Sequence, residues 1–221
     1  AFHRRTGHKI LERYGMTEAG IITSNPLYGD RVPGSVGFAL PGVQMRLSDD
    51  GRECDPGEVG IVEVTGDHLF NGYWRKPKET AEVLCDDGFL VTGDVGVIDE
   101  DGRLYLKGRN TDLIISGGEN IYPKEIELHL DDIECVAESA VIGLSDDDLG
   151  EKVVAVIVAN GIFSEQKVKD ALRNQVADFK FPSEFIIVEE LPRNSMGKIQ
   201  KSKLRDTYNK QGPNEGESRN R

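Results

Sequence analysis

The sequence is poor in cysteine. Cys54, Cys85 and Cys135 are widely spaced, odd in number and in no CxxC pair, which argues against a disulfide framework and against a cysteine-held zinc. A reduced, intracellular setting fits, and the expectation is the cytoplasm, with an organelle such as the mitochondrion as the alternative. No apolar run approaches the roughly 18 residues that span a bilayer. The opening AFHRRTGHKI has no apolar core to act as a secretory signal. Positive charge is also short: 27 Lys and Arg face 39 Asp and Glu, a formal net charge of -12. Such a chain repels a phosphate backbone rather than releasing its counterions, so nucleic acid is not an expected partner. There is no starting methionine either; Ala1 comes first, and the expectation is a piece of something longer.

At 221 residues the chain can bury one large core or two small ones, and its texture argues for two. Residues 20–108 alternate short apolar runs with glycine turns, as in PGSVGFALPG, DPGEVG, IVEVTG and FLVTGD, the pattern of a β-rich region. KPKETAEVL, with Pro77 near its start, predicts a short helix there. After Gly108 the elements lengthen: strand DLIIS, helix PKEIELHLDD, strands VAESAVIGL and EKVVAVIVA, helix SEQKVKDALRNQVADF, strand EFIIVEEL and helix SKLRDTYNKQ. Pro123 suits a first helical turn and Ser164 an N-cap. The expected organisation is α+β, with a β-rich part over 1–108, a small α+β domain over 109–210 and a boundary inside GRNTD. The polar tail 211–221 is expected to be disordered.

Four stretches carry chemistry together: YGMTE at Tyr14 to Glu18, FLVTGD ending at Asp94, GRNTDLIISGGENIYPKEIE from Gly108 to Glu127, and PRNSMGKIQK from Pro192 to Lys201. Singly each has a plain reading. Thr17 could cap a helix with Glu18 in its first turn, Asp94 could end a strand in a turn, and Ser116 to Gly118 could be an ordinary glycine turn. In this order and spacing they resemble the adenylate-forming family, which includes acyl-CoA synthetases, peptide-synthetase adenylation domains and beetle luciferases. The resemblance covers residues 10–205. The wording of ERYGMTE, TSNPLYGDRVPGSVG and PRNSMGKIQK is most similar to malonyl-CoA synthetases.

The resemblance implies a β-rich end of a large adenylating N-terminal domain followed by a small C-terminal lid. It implies ATP, Mg2+ and CoA: a carboxylate joins ATP as an acyl-adenylate with loss of pyrophosphate, and a thiol then displaces AMP. Two anions must meet in the first step, which demands magnesium and fixed cations. By resemblance Tyr14 packs on the adenine, Thr17 donates to the α-phosphate, Glu18 holds magnesium, and Asp94 takes both ribose hydroxyls with Arg109 as its partner. Ser116, Gly117 and Gly118 line the pantetheine tunnel, and Lys198 is the catalytic lysine of a mobile loop. Lys201 and Lys203 are read as surface residues, with a contact to the CoA phosphates as a further role. Thr111 occupies the hinge position, commonly Asp or Lys in the family, with Asp112 as a substitute for the missing charge.

Arg13 stands where family members usually have a small residue, beside the acyl pocket. A guanidinium there rejects an apolar tail and grips a second carboxylate, which points to a small dicarboxylic acid such as malonate; the alternative is an arginine facing outward from its strand. No Ser/Thr/Gly-rich phosphate loop precedes Tyr14, so the remainder of an N-terminal part is expected elsewhere and this chain alone is expected to be inactive. The rival readings are an adenylation domain loading a carrier protein and a truncated binding module without activity.

Overall fold

The computed structural model describes residues 2–173 and 175–210, and the chain divides between Thr111 and Asp112 into two units, each with its own core. The first unit begins with a one-turn helix, α1 (Phe2–Thr6), and a hairpin of β1 (Arg13–Met16) and β2 (Gly20–Ser24), which β3 (Phe38–Ala39) extends to three strands. Thr17, Glu18 and Ala19 form the hairpin turn. Gly15 is required by close approach, since a Cβ there would lie 2.2 Å from the Gly20 carbonyl oxygen. A register shift follows Tyr14 at the same point.

A second sheet, wholly antiparallel, contains β4 (Gln44–Asp49), β5 (Arg52–Glu53), β6 (Val59–Thr65), β7 (Leu90–Ile98) and β8 (Leu104–Arg109) in the order β5-β4-β6-β7-β8. Between β6 and β7 lies α2 (Pro77–Ala81), begun by its proline as expected. Tyr14, Ala19 and Ile22 of the hairpin pack with Leu47, Val62, Val64, Leu90 and Leu104 of the larger sheet in one cluster. That shared core fixes the hairpin turn relative to β7.

A 3-10 turn at Asn110–Asp112 spans the division, and the second unit continues with β9 (Ile114–Ser116) and β10 (Glu119–Ile121) as a small hairpin. The expected glycine turn leading straight into a helix is thus a β-hairpin turn, with Gly117 at φ +58° and Gly118 at φ +86°, values that suit a tight strand reversal. There follow α3 (Pro123–Asp131), β11 (Val136–Asp146), β12 (Gly150–Ala159), α4 (Glu165–Leu172), β13 (Glu184–Val188) and α5 (Lys201–Asn209). β11 and β12 pair antiparallel, while β13 returns parallel to β12 after the α4 crossover.

Alternation along the two long strands feeds two cores. Val141, Val153, Ala155 and Ile157 pack with α3 and α4, and Ala140, Ile142, Val154 and Val156 pack with Leu191 and with Leu204 of α5. Burial on both faces is why VVAVIV runs unbroken by polar residues. Ser164 caps α4, accepting from the Lys167 amide at 3.4 Å. The helix ends at Leu172, short of the expected Phe179; Asp178–Lys180 instead form a 3-10 turn that leads Phe181 and Phe185 against the same core. The tail 211–221 lies outside the described residues. No helix among the described residues is long and apolar enough to cross a membrane.

Candidate functional site

Asp94 does not end a strand. It sits inside β7, in direct register with Arg109, the last residue of β8. Arg109 Nε lies 2.9 Å from Asp94 Oδ1, and Arg109 Nη1 donates to the Thr92 carbonyl at 2.9 Å. From the hairpin, Tyr14 Oη donates to Asp94 Oδ2 at 2.6 Å. The Asp94 amide donates to Thr92 Oγ1 at 3.1 Å, and that hydroxyl donates onward to the Val62 carbonyl at 2.8 Å. The carboxylate is therefore held from two sides, by Arg109 on Oδ1 and Tyr14 on Oδ2, with its side chain 11% exposed against 47% for Arg109. Burial, and then the hydrogen bond with Asp94, push the Tyr14 hydroxyl well above the ordinary tyrosine value, so it remains a donor at neutral pH. An ionised carboxylate offers about four lone-pair sites; acceptor capacity remains on both oxygens. The Tyr14 ring belongs to the core cluster, a second task beside the stacking expected of it.

Thr17 is exposed in the hairpin turn and caps no helix. Glu18, next to it, is half-buried and held twice: its carbonyl accepts from the Phe70 amide at 2.8 Å, and its Oε1 accepts from Tyr73 Oη at 2.8 Å. No Lys, Arg or His pairs with it among the described residues, and these contain no cluster of three or more His, Cys, Asp or Glu able to cage an ion. One carboxylate still fits magnesium, which is commonly held by one or two carboxylates together with substrate phosphates and water. Arg13 precedes Tyr14 on β1, points away from the core that receives Tyr14, stands opposite Ser24, and has no ion-pair partner among the described residues.

In the second unit, Lys198 is exposed at the end of a closed turn. Its amide donates to Asn194 Oδ1 and its carbonyl accepts from the Asn194 amide, each at 2.9 Å, while Arg193 Nη1 donates to the Gly197 carbonyl at 2.6 Å. The loop expected to be mobile is thus internally hydrogen-bonded. Ser116 is buried at the end of β9, and with Gly117 it borders a cleft of about 260 Å³ that Leu149, Lys152, Phe179 and Phe181 also line; Gly118 is exposed and outside that lining. Thr111 is exposed at the division of the two units, and the Asp112 carboxylate is committed to Arg205 Nη1 at 3.1 Å.

Lys203 is exposed as expected, but Lys201 is not a surface residue. Its Nζ lies 2.6 Å from Glu127 Oε1, with side chains only 15% and 8% exposed. Glu127 also accepts from the Val141 amide at 2.9 Å. Sequence reasoning missed Glu127 and Tyr73. The signal for Glu127 was a carboxylate set among Ile126 and Leu130 on the buried stripe of α3; for Tyr73 there was none.

The family model of AMP-binding enzymes matches residues 1–74, and that of the AMP-binding enzyme C-terminal domain matches residues 125–198. A malonate–CoA ligase of Arabidopsis thaliana is 39% identical, over 93% of this chain and 36% of its own length. A long-chain-fatty-acid–CoA ligase of Bacillus subtilis is equally 39% identical, over 92% of this chain and 37% of its own length. Among solved structures, ATP-bound MatB from Rhodopseudomonas palustris is 51% identical with a TM-score of 0.88, over 94% of this chain and 42% of that one. The chain thus spans little more than a third of the curated relatives it matches. One family model on each unit and a fold shared with MatB along nearly all of the chain lead to one conclusion: the chain belongs to the AMP-binding enzyme family of adenylate-forming synthetases.

Proposed function

We propose that this protein is an ATP-dependent acid–CoA ligase that converts malonate to malonyl-CoA through an acyl-adenylate. Residues 1–108 belong to its adenylating domain and 109–210 to its lid, with Thr111 as the hinge. The observation that carries the reading is the Asp94 carboxylate braced by Tyr14 and Arg109 in a chain of the AMP-binding family. A vicinal diol presents two donors to one carboxylate, and a carboxylate already fixed in orientation loses little freedom on accepting them. Asp94 and Arg109 therefore hold the ribose, Tyr14 borders the base, and Thr17 donates to the α-phosphate.

Glu18 would hold magnesium, whose charge would offset the repulsion between the triphosphate and the incoming carboxylate. Lys198 supplies a mobile positive charge to the carboxylate oxygen and α-phosphate during adenylation, then withdraws before the thiol arrives. Ser116, Gly117 and Gly118 guide the pantetheine arm of CoA to the adenylate. A malonate ligase and a fatty-acid ligase are equally similar to this chain, so the choice of acid rests on Arg13. Arg13 favours malonate: an unpaired guanidinium at the pocket rewards a second carboxylate and penalises an alkyl tail. The three free cysteines fit a reducing cytoplasm.

Product identification tests this. The whole protein with ATP, Mg2+, CoA and malonate should yield malonyl-CoA by mass spectrometry. Thioester formed only with fatty acids would overturn the choice of acid, and adenylate transferred only to a carrier protein would overturn the choice of thiol.

A further inference from the structure

Tyr73 lies in the segment between β6 and α2, 55 residues along the chain from Glu18, yet its hydroxyl makes the one polar contact to the Glu18 carboxylate among the described residues. We propose that Tyr73 is a positioning residue that orients Glu18, leaving the second carboxylate oxygen to magnesium. The proposal rests on the reading of Glu18 as the magnesium ligand.

Tyr73 is itself firmly held. Its amide donates to Thr80 Oγ1 of α2 at 2.9 Å. Its ring meets Phe70 edge to face, with centroids 4.9 Å apart, and the Phe70 amide in turn donates to the Glu18 carbonyl. The segment therefore grips Glu18 at both backbone and side chain. A glutamate in a hairpin turn has three rotatable bonds, and ordering them at the moment of binding would weaken the site; a fixed donor orders them beforehand.

The chemistry of the donor also matters. A lysine or arginine in that place would cancel the charge that attracts the cation, whereas a neutral phenol orients the carboxylate and leaves its charge intact. Magnesium demands near-octahedral placement of its ligands, so orientation is where a supporting residue has leverage. The ring contacts do not depend on the hydroxyl, which makes the hydroxyl separable from the packing.

The test compares Tyr73→Phe and Glu18→Gln in the whole protein, with two readouts: ATP affinity in EDTA, and Mn2+ binding to the ATP complex followed by electron paramagnetic resonance. Loss of such a supporting contact typically weakens metal binding by about 10-fold or more, and Tyr73→Phe should do so with ATP affinity in EDTA unchanged. If Glu18→Gln loses Mn2+ and Tyr73→Phe binds it as the parent does, the positioning role is wrong and Glu18 stands. If Glu18→Gln also binds Mn2+ normally, the assignment of Glu18 fails and the proposal with it. A Tyr73→Phe protein that loses ATP affinity equally with and without metal would show that Tyr73 only supports the fold.

Discussion

Replacing Lys201 by Met removes one charge from the most enclosed ion pair among the described residues of the second unit while keeping a side chain of similar volume. Glu127 then remains with its side chain 8% exposed, anchored by the Val141 amide and unable to turn to water without breaking that bond. Breaking a buried pair by removing one partner costs on the order of 3–5 kcal/mol, because it leaves an uncompensated charge; a surface bridge would cost about 1 kcal/mol or less. For a unit of this size each kcal/mol lowers the melting temperature by roughly 4–8 °C, so the drop should exceed about 10 °C. Glu127→Gln should cost less, since the remaining amide still accepts from Val141 and the lysine stem can carry its ammonium toward solvent. Urea and thermal unfolding of the chain, followed by circular dichroism, measure both. The transition of the first unit should not move, because the pair lies wholly beyond Asp112. A Lys201→Met loss within about 1 kcal/mol would refute the reasoning and make the pair a solvent-screened bridge.

In the whole protein, Lys198→Ala should slow adenylation by roughly a hundredfold, the rate equivalent of about 3 kcal/mol from one preorganised charge. Thioester formation from supplied acyl-adenylate should be far less affected, and equal damage to both half-reactions would deny that the lysine withdraws. Arg13→Gly should lower kcat/KM for malonate by roughly 30-fold or more, the loss of about 2–4 kcal/mol from a charge-assisted pair, while sparing a monocarboxylate of similar length; an unchanged malonate preference would make Arg13 a plain surface residue. Tyr14→Phe should cost about 1.5–3 kcal/mol in unfolding of the first unit, the range for a hydrogen bond to a charged acceptor, and should weaken ATP binding; normal values for both would remove Tyr14 from the support of Asp94.

Sequence patterning revealed the elements whose signals are local. Pro77 and Ser164 mark the starts of α2 and α4, and the unbroken VVAVIV of β12 betrays a strand covered on both faces. The β9–β10 hairpin escaped because β10 is three residues long with Ile121 as its only apolar member. α4 was overextended because Val168, Leu172 and Val176 keep helical spacing into the same core, although the regular helix stops at Leu172. Asp94, Arg109, Thr17 and Glu18 were singled out through the order of motifs, not through any property visible in one residue. What joins them is non-local: Tyr14 reaches Asp94 across 80 residues and Tyr73 reaches Glu18 across 55. No spacing rule encodes such contacts, since they arise only when the hairpin and the five-stranded sheet share a core. Lys201 was misplaced for the same reason, its partner lying on a helix far back in the chain.

The central claim is that a carboxylic acid is activated by ATP on these residues, and pyrophosphate release by the whole protein tests it most directly. A panel of malonate, succinate, acetate and a long-chain fatty acid should be run with ATP and Mg2+, with and without CoA. Release should depend on malonate, proceed to a single turnover without CoA and become continuous when CoA is added. Pyrophosphate release that ignores which acid is present, or its complete absence with every acid, would contradict the account.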